Sequence, residues 1–201
     1  MTFEIFSSRI RFDFSFFAVL TLMLLTAQKE IVIVCVVSSL LHECGHLVLL
    51  CVFKEKTESV VFGAFGIRID RAAVSTLSYK KEAAVASGGV IVNFILAGIF
   101  YVVFNVNESQ TAFFGVFVNL FIAALNCMPV SVLDSGNFLR YILLVHFDEE
   151  KVAAVMHKVS DITTVLFTLF CVWFTLCVSL NISLIAVCVY LIVLNIQERW
   201  K

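Results

Sequence analysis

The first chemistry in this sequence sits in five residues. "HECGH", His42 to His46, places two imidazoles four residues apart with a carboxylate, Glu43, beside the first. On an α-helix, residues four apart share a face, so both imidazoles can reach one metal ion. Zinc suits such ligands, and it lowers the pKa of a bound water towards neutrality. Glu43, one residue round from His42, then serves as general base for that water. The plain alternative is a pair of neutral histidines hydrogen-bonded inside a helix bundle. A glutamate at membrane depth costs about 2–3 kcal/mol or more unless something offsets it. A divalent cation would offset it, which favours the metal.

A catalytic zinc site takes three protein ligands and leaves one position open. A candidate for the third lies in "NCMPVSVLDSG", Asn126 to Gly136. Pro129, the single proline of the chain, breaks an apolar stretch there. Broken backbone at membrane depth is tolerated only where it is buried in protein or lines a cavity. Asp134 follows the break and is the only acid between Glu108 and Asp148. An intramembrane aspartate beside a helix break marks a functional group. Its alternative role is to cap a helix beginning at Ser135. His146 and His157 are spare imidazoles in polar surroundings.

The elements that must position these residues are apolar helices. Of 201 residues, 61% are hydrophobic and 14% charged, and the mean hydropathy is +1.03, beyond the range of a soluble domain. A net charge of −1 gives no electrostatic case for nucleic acid. The seven cysteines lie mostly inside apolar runs and form no CxxC pair, so they are expected as reduced packing residues.

Apolar windows place spans at about 12–28, 31–53, 83–105, 111 onward into the broken segment, 162–180 and 182–196, the last two hinged at Asn181. The expectation is an all-α polytopic membrane protein with about six transmembrane helices. It is expected to form one domain, 1–201, with its core at 9–145 and a C-terminal helical pair at 162–196. With the N-terminus inside, every Lys and Arg except Lys29 falls on the cytoplasmic side, which puts both termini there. "LLTAQKE" lacks a small-x-small site, so the first span is expected to be retained rather than cleaved as a signal peptide.

Two polar segments complete the layout. In 54–82, the alternation Ile67, Arg68, Ile69, Asp70 predicts a strand and, with its neighbours, a small cytosolic β-hairpin. Such a hairpin either covers the bundle or adds an unwound substrate as an extra strand. "HFDEEKVAAVMHKVSD", 146–161, is expected as a short amphipathic helix at the membrane surface.

Three pieces of the sequence together resemble the site-2 protease family of intramembrane zinc metalloproteases. They are "HECGH" in a span, "NCMPVSVLDSG" against the family's N-x-x-P-x-x-x-x-D-G, and "GGVIVNFILA" against its G-P-x-x-N through Gly89 and Asn93. Val90 stands where the family has proline, and Ser135 where it has the glycine after the aspartate, with Gly136 one place later. The resemblance implies that His42, His46 and Asp134 hold one Zn2+ ion and that Glu43 is the catalytic base. Asn126, Asn93 and Pro129 would be supports for ligands or substrate. The compact layout is similar to the sporulation branch, which implies a bacterial cytoplasmic membrane, a membrane-associated pro-sigma factor as substrate and membrane regulatory proteins as partners. Two other functions compete with the protease. One is a transporter-like protein with His42, Glu43, His46 and Asp134 along a cation path. The other is an inactive scaffold.

Overall fold

The computed structural model describes residues 2–5, 8–12, 17, 20–21, 23–25, 27–55, 57–63, 66–71, 76–177 and 182–199. The chain divides into two compact units, Met1–Ala124 and Leu125–Lys201. The expected first span, 12–28, and the hinge at Asn181 fall wholly or largely outside the described residues.

In the first unit, β1 (Thr2–Ile5) and β2 (Ser8–Phe12) precede α1 (Lys29–Val52). Next come β3 (Thr57–Gly63), β4 (Gly66–Arg71), α2 (Tyr79–Asn107) and α3 (Gln110–Asn126), whose last turn enters the second unit. The strands form one sheet in the order β1-β2-β3-β4. β1 and β2 are antiparallel, β2 and β3 parallel with Arg9 opposite Ser59, and β3 and β4 antiparallel with Val61 opposite Arg68. The fold is therefore not purely helical. The N-terminal strands were not expected, although Ile10 and Phe12 alternate with Arg9 and Arg11 at the two-residue period of a strand.

α1 forms because residues 29–52 offer an apolar run without proline, with Glu30 in the first turn to complement the helix dipole. It stops at Lys54, whose φ of 59° turns the chain out of the helix. Lys54 N–H donates to Cys51 O at 3.0 Å and Glu55 N–H to Leu50 O at 2.9 Å, so the last carbonyls are satisfied by a Schellman arrangement. α2 ends similarly at Glu108, with φ 49°.

The distribution of side chains is inverted relative to a water-soluble bundle. α2 buries Glu82, Ala83, Val85, Ala86, Gly88, Gly89, Asn93 and Ala97. It turns Ile91, Phe94, Ile95 and Ile99 outward, each more than half exposed. Small and polar groups inside with large apolar ones outside is the pattern of helices solvated by lipid. This is a membrane protein. Among the described residues, three helices are long and apolar enough to cross a bilayer: α1, α2 and α5 below. α3 and Leu184–Glu198 are shorter apolar helices.

In the second unit, α4 (Asp134–Leu144), α5 (Glu149–Cys177) and α6 (Ile182–Arg199) follow the break after α3. The expected surface helix at 146–161 and the span from Ile162 run together as the single helix α5. No glycine or proline follows Gly136, so nothing in the local chemistry separates them. Polar groups join α5 to α6. Ser160 Oγ donates to Asn195 Oδ1 at 2.8 Å, and Asn195 Nδ2 to Asp161 Oδ1 at 2.9 Å. All seven cysteines are free thiols.

What matters most for the site is how closely α1 approaches α2. A Cβ on Gly45 would lie 2.5 Å from Gly88 O, and one on Gly88 would lie 2.7 Å from Gly45 O. The two backbones touch at paired glycines, the small-residue contact that lets membrane helices pack. Gly45→Ala should therefore force the helices apart and lower stability by about 1–3 kcal/mol, the usual cost of overpacking. Gly98→Ala, where a Cβ would meet nothing within 4 Å, should leave stability unchanged. Thermal unfolding in detergent measures both, and equal midpoints for the two variants would contradict the glycine contact.

Candidate metal centre

His42 and His46 are buried on the inner face of α1, at 5% and 8% exposure. His46 Nδ1 lies 2.7 Å from Val85 O. A carbonyl only accepts, so Nδ1 carries the hydrogen and the Nε2 of this neutral ring carries the lone pair. His42 Nδ1 pairs with Asn93 Oδ1. Asn93 Nδ2 in turn donates to Asn119 Oδ1 at 2.8 Å, which assigns Asn93 Oδ1 as the acceptor facing His42. Both imidazoles thus hold the same tautomer.

The Nε2 atoms of the two rings face each other at 3.4 Å, with the rings edge to face at 77°. Two lone pairs at that separation repel in the absence of a shared positive charge. Zinc–nitrogen bonds of about 2.0–2.1 Å at a tetrahedral angle place two nitrogens about 3.3–3.4 Å apart. The donor pair fits the ion. Gly89 keeps the intervening space open, since a Cβ there would lie 2.5 Å from both His42 Nε2 and His46 Nε2. Glu43 follows His42 on α1 and is half-buried.

In the second unit, the break after Asn126 is a chain of tight turns. Met128 N–H donates to Leu125 O at 3.1 Å, and Leu133 N–H to Val130 O at 2.8 Å. Pro129 sits within it, where it removes no helical hydrogen bond. The cap of α4 is Leu133, not Asp134. Asp134 is the first helical residue, half-buried, where the helix dipole favours a carboxylate. Glycine is needed at 136 and not at 135 for a local reason. A Cβ on Gly136 would run into Val130 O, so the turn before α4 needs glycine at that position.

Within the first unit, His42 and His46 are thus a buried pair of neighbouring imidazoles, and within the second, Asp134 opens α4. His146 and His157 are exposed. Asn93 is fully buried against His42, and Asn126 closes α3.

Sequence reasoning missed Asn119, Ser38 and the Val85 carbonyl. Asn119 is fully buried and donates to Ser38 Oγ and to Gly115 O, both at 2.9 Å. A signal existed: Asn119 is a lone amide in the apolar run "FGVFVNLFIAAL", and polar groups in such runs have partners. The Val85 carbonyl left no trace in residue type.

No protein-family model and no curated protein sequence matches the chain. Among solved structures, it is similar to "Site-2 Protease from Methanocaldococcus jannaschii", with a TM-score of 0.69 and 21% identity over 98% of this chain and 94% of that one. At that identity the likeness establishes a shared fold across nearly the whole chain.

Gly89→Ala gives the most direct test of the centre. The added methyl fills the space between the two Nε2 atoms, so zinc affinity should fall at least about 100-fold while the helices stay assembled. A competition titration against a chelator, with thermal unfolding as the control, reads both. Unaltered zinc affinity would exclude the space between the two imidazoles as the metal site.

Proposed function

We propose that the protein is an intramembrane zinc metalloendopeptidase that cuts membrane-associated proteins in or beside their transmembrane segments. The observation that carries this is the pair of Nε2 atoms 3.4 Å apart, each ring locked by a hydrogen bond at Nδ1. The shared fold supports it. A single zinc ion would be held by His42, His46 and Asp134. When bound, it supplies a Lewis acid that polarises the scissile carbonyl and makes water acidic near neutral pH.

The chain's own residues do the rest. Glu43 accepts the proton from the attacking water at its carboxylate as the new C–O bond forms. It then delivers that proton to the amide nitrogen as the C–N bond breaks, releasing an amine and a carboxylic acid. The apolar walls of α1 and α2 keep the site drier than bulk solvent, which strengthens each of these charge interactions. Asn93 orients His42, while Asn126 and Pro129 shape the turn that leads to Asp134.

His42 lies ten residues from the end of α1, roughly 15 Å deep at about 1.5 Å per residue. Substrate must therefore unwind, because a helical segment hides its carbonyls in its own hydrogen bonds. β4 is an edge strand of the sheet, and an edge offers unpaired backbone to an extended segment. In this reading the protein lies in a bacterial cytoplasmic membrane as about six spans, with both termini in the cytoplasm. A membrane-bound pro-sigma factor is the first substrate to try, and membrane regulatory proteins the first partners.

Co-expression with single-span substrates tests the chemistry. Glu43→Gln should reduce processing about 100-fold or more while the purified protein keeps its zinc, since the carboxylate moves protons and does not bind the ion. Equal processing by wild type and variant would remove the protease function. Deleting residues 63–70 should abolish cleavage without loss of zinc, and undiminished cleavage would rule out strand addition at β4.

A further inference from the structure

We infer that Asn119 is a positioning residue for His42, acting through Asn93 to fix which imidazole nitrogen faces the metal. The inference rests on the zinc reading above, but its logic begins at a backbone carbonyl. Gly115 O can only accept a hydrogen bond, so the Asn119 atom 2.9 Å from it is Nδ2. The other atom of that amide, Oδ1, therefore faces Asn93 and accepts from Asn93 Nδ2 at 2.8 Å. Asn93 is left to present Oδ1 to His42, which must then carry its hydrogen on Nδ1. Each step follows because an amide has one donor end and one acceptor end.

Without Asn119, Asn93 has no such instruction. Its amide can turn over and offer Nδ2 to the ring, and His42 would then hold its hydrogen on Nε2, where it cannot bind a cation. Asn119 also donates to Ser38 Oγ at 2.9 Å, one turn before His42 on α1. The relay thus draws on three helices: Ser38 and His42 from α1, Asn93 from α2, Asn119 and Gly115 from α3. Asn93 and Asn119 are 0% exposed and Ser38 1%, so water does not compete for these bonds. His46 Nδ1 is held by a separate acceptor, Val85 O, so its tautomer is a comparison for that of His42.

The experiment uses full-length protein in bicelles with 15N-labelled histidine. It records ring-nitrogen shifts without metal and then zinc affinity by chelator competition. Wild type should show Nδ1–H at both histidines. Asn119→Leu should give mixed tautomers at His42 alone and weaken zinc about 10- to 100-fold. Asn119→Asp should restore both, because one carboxyl oxygen still accepts from Asn93 and the O–H can donate to Gly115. An unchanged His42 tautomer in Asn119→Leu would overturn the inference. So would equal disturbance of His42 and His46 in both variants, which would make Asn119 merely structural. Wild type that bound no zinc would remove the metal reading instead, and the metal-free tautomers would still decide the relay.

Discussion

The close approach of α1 and α2 is the constraint on which everything else depends. Gly45 and Gly88 let the two backbones touch, and Gly89, one residue further on, leaves the space between the histidine Nε2 atoms. At an ordinary interhelical distance of about 8–10 Å between larger side chains, neither Val85 O nor Asn93 would reach an imidazole on α1. The geometry of the two imidazoles is therefore a consequence of helix packing. Three glycines make the contact, and the polar bonds then define its details.

Those bonds act in a setting where water offers no substitute. In hydrocarbon, interhelical hydrogen bonds contribute only about 1 kcal/mol each to stability, because the separated helices also find partners. Their value here is directional. A carbonyl at Val85 and an amide chain ending at the Gly115 carbonyl give both imidazoles one tautomer. Fixed acceptors decide which ring nitrogen carries the hydrogen, and a pattern set in advance would avoid reorganisation on binding a cation.

What the sequence disclosed follows from the range of the interactions involved. The pairing of His42 with His46 was legible because helical periodicity converts a spacing of four into one face. The helix break before Asp134 was legible because a carboxylate and the single proline are conspicuous in an apolar run. Asn119 escaped because its role is set by distant partners: Ser38 is 81 residues away in sequence. The N-terminal strands escaped for a similar reason, since β2 pairs with β3 about fifty residues later, through backbone groups common to every residue type. The merger of 146–161 with the following span into α5 reflects a different blindness. Polarity changes along that segment, but helix propensity does not, and hydropathy windows see only the first.

Positions 90 and 135 show how local backbone needs decide where proline and glycine can stand. A proline at position 90 would remove a helical N–H and crowd the preceding turn. With Val90 in its place, α2 runs unbroken from Tyr79 to Asn107 and still presents Gly89 and Asn93 to the histidines, from the same side of one helix. Ser135 occupies a helical, half-buried position. The glycine is required where the backbone of Val130 crosses, and that crossing is at Gly136. In both places the glycine is fixed by the group that touches it, an imidazole pair at 89 and a carbonyl at 136. A spacing in the sequence records such contacts only indirectly, because it does not name the group that each glycine must clear.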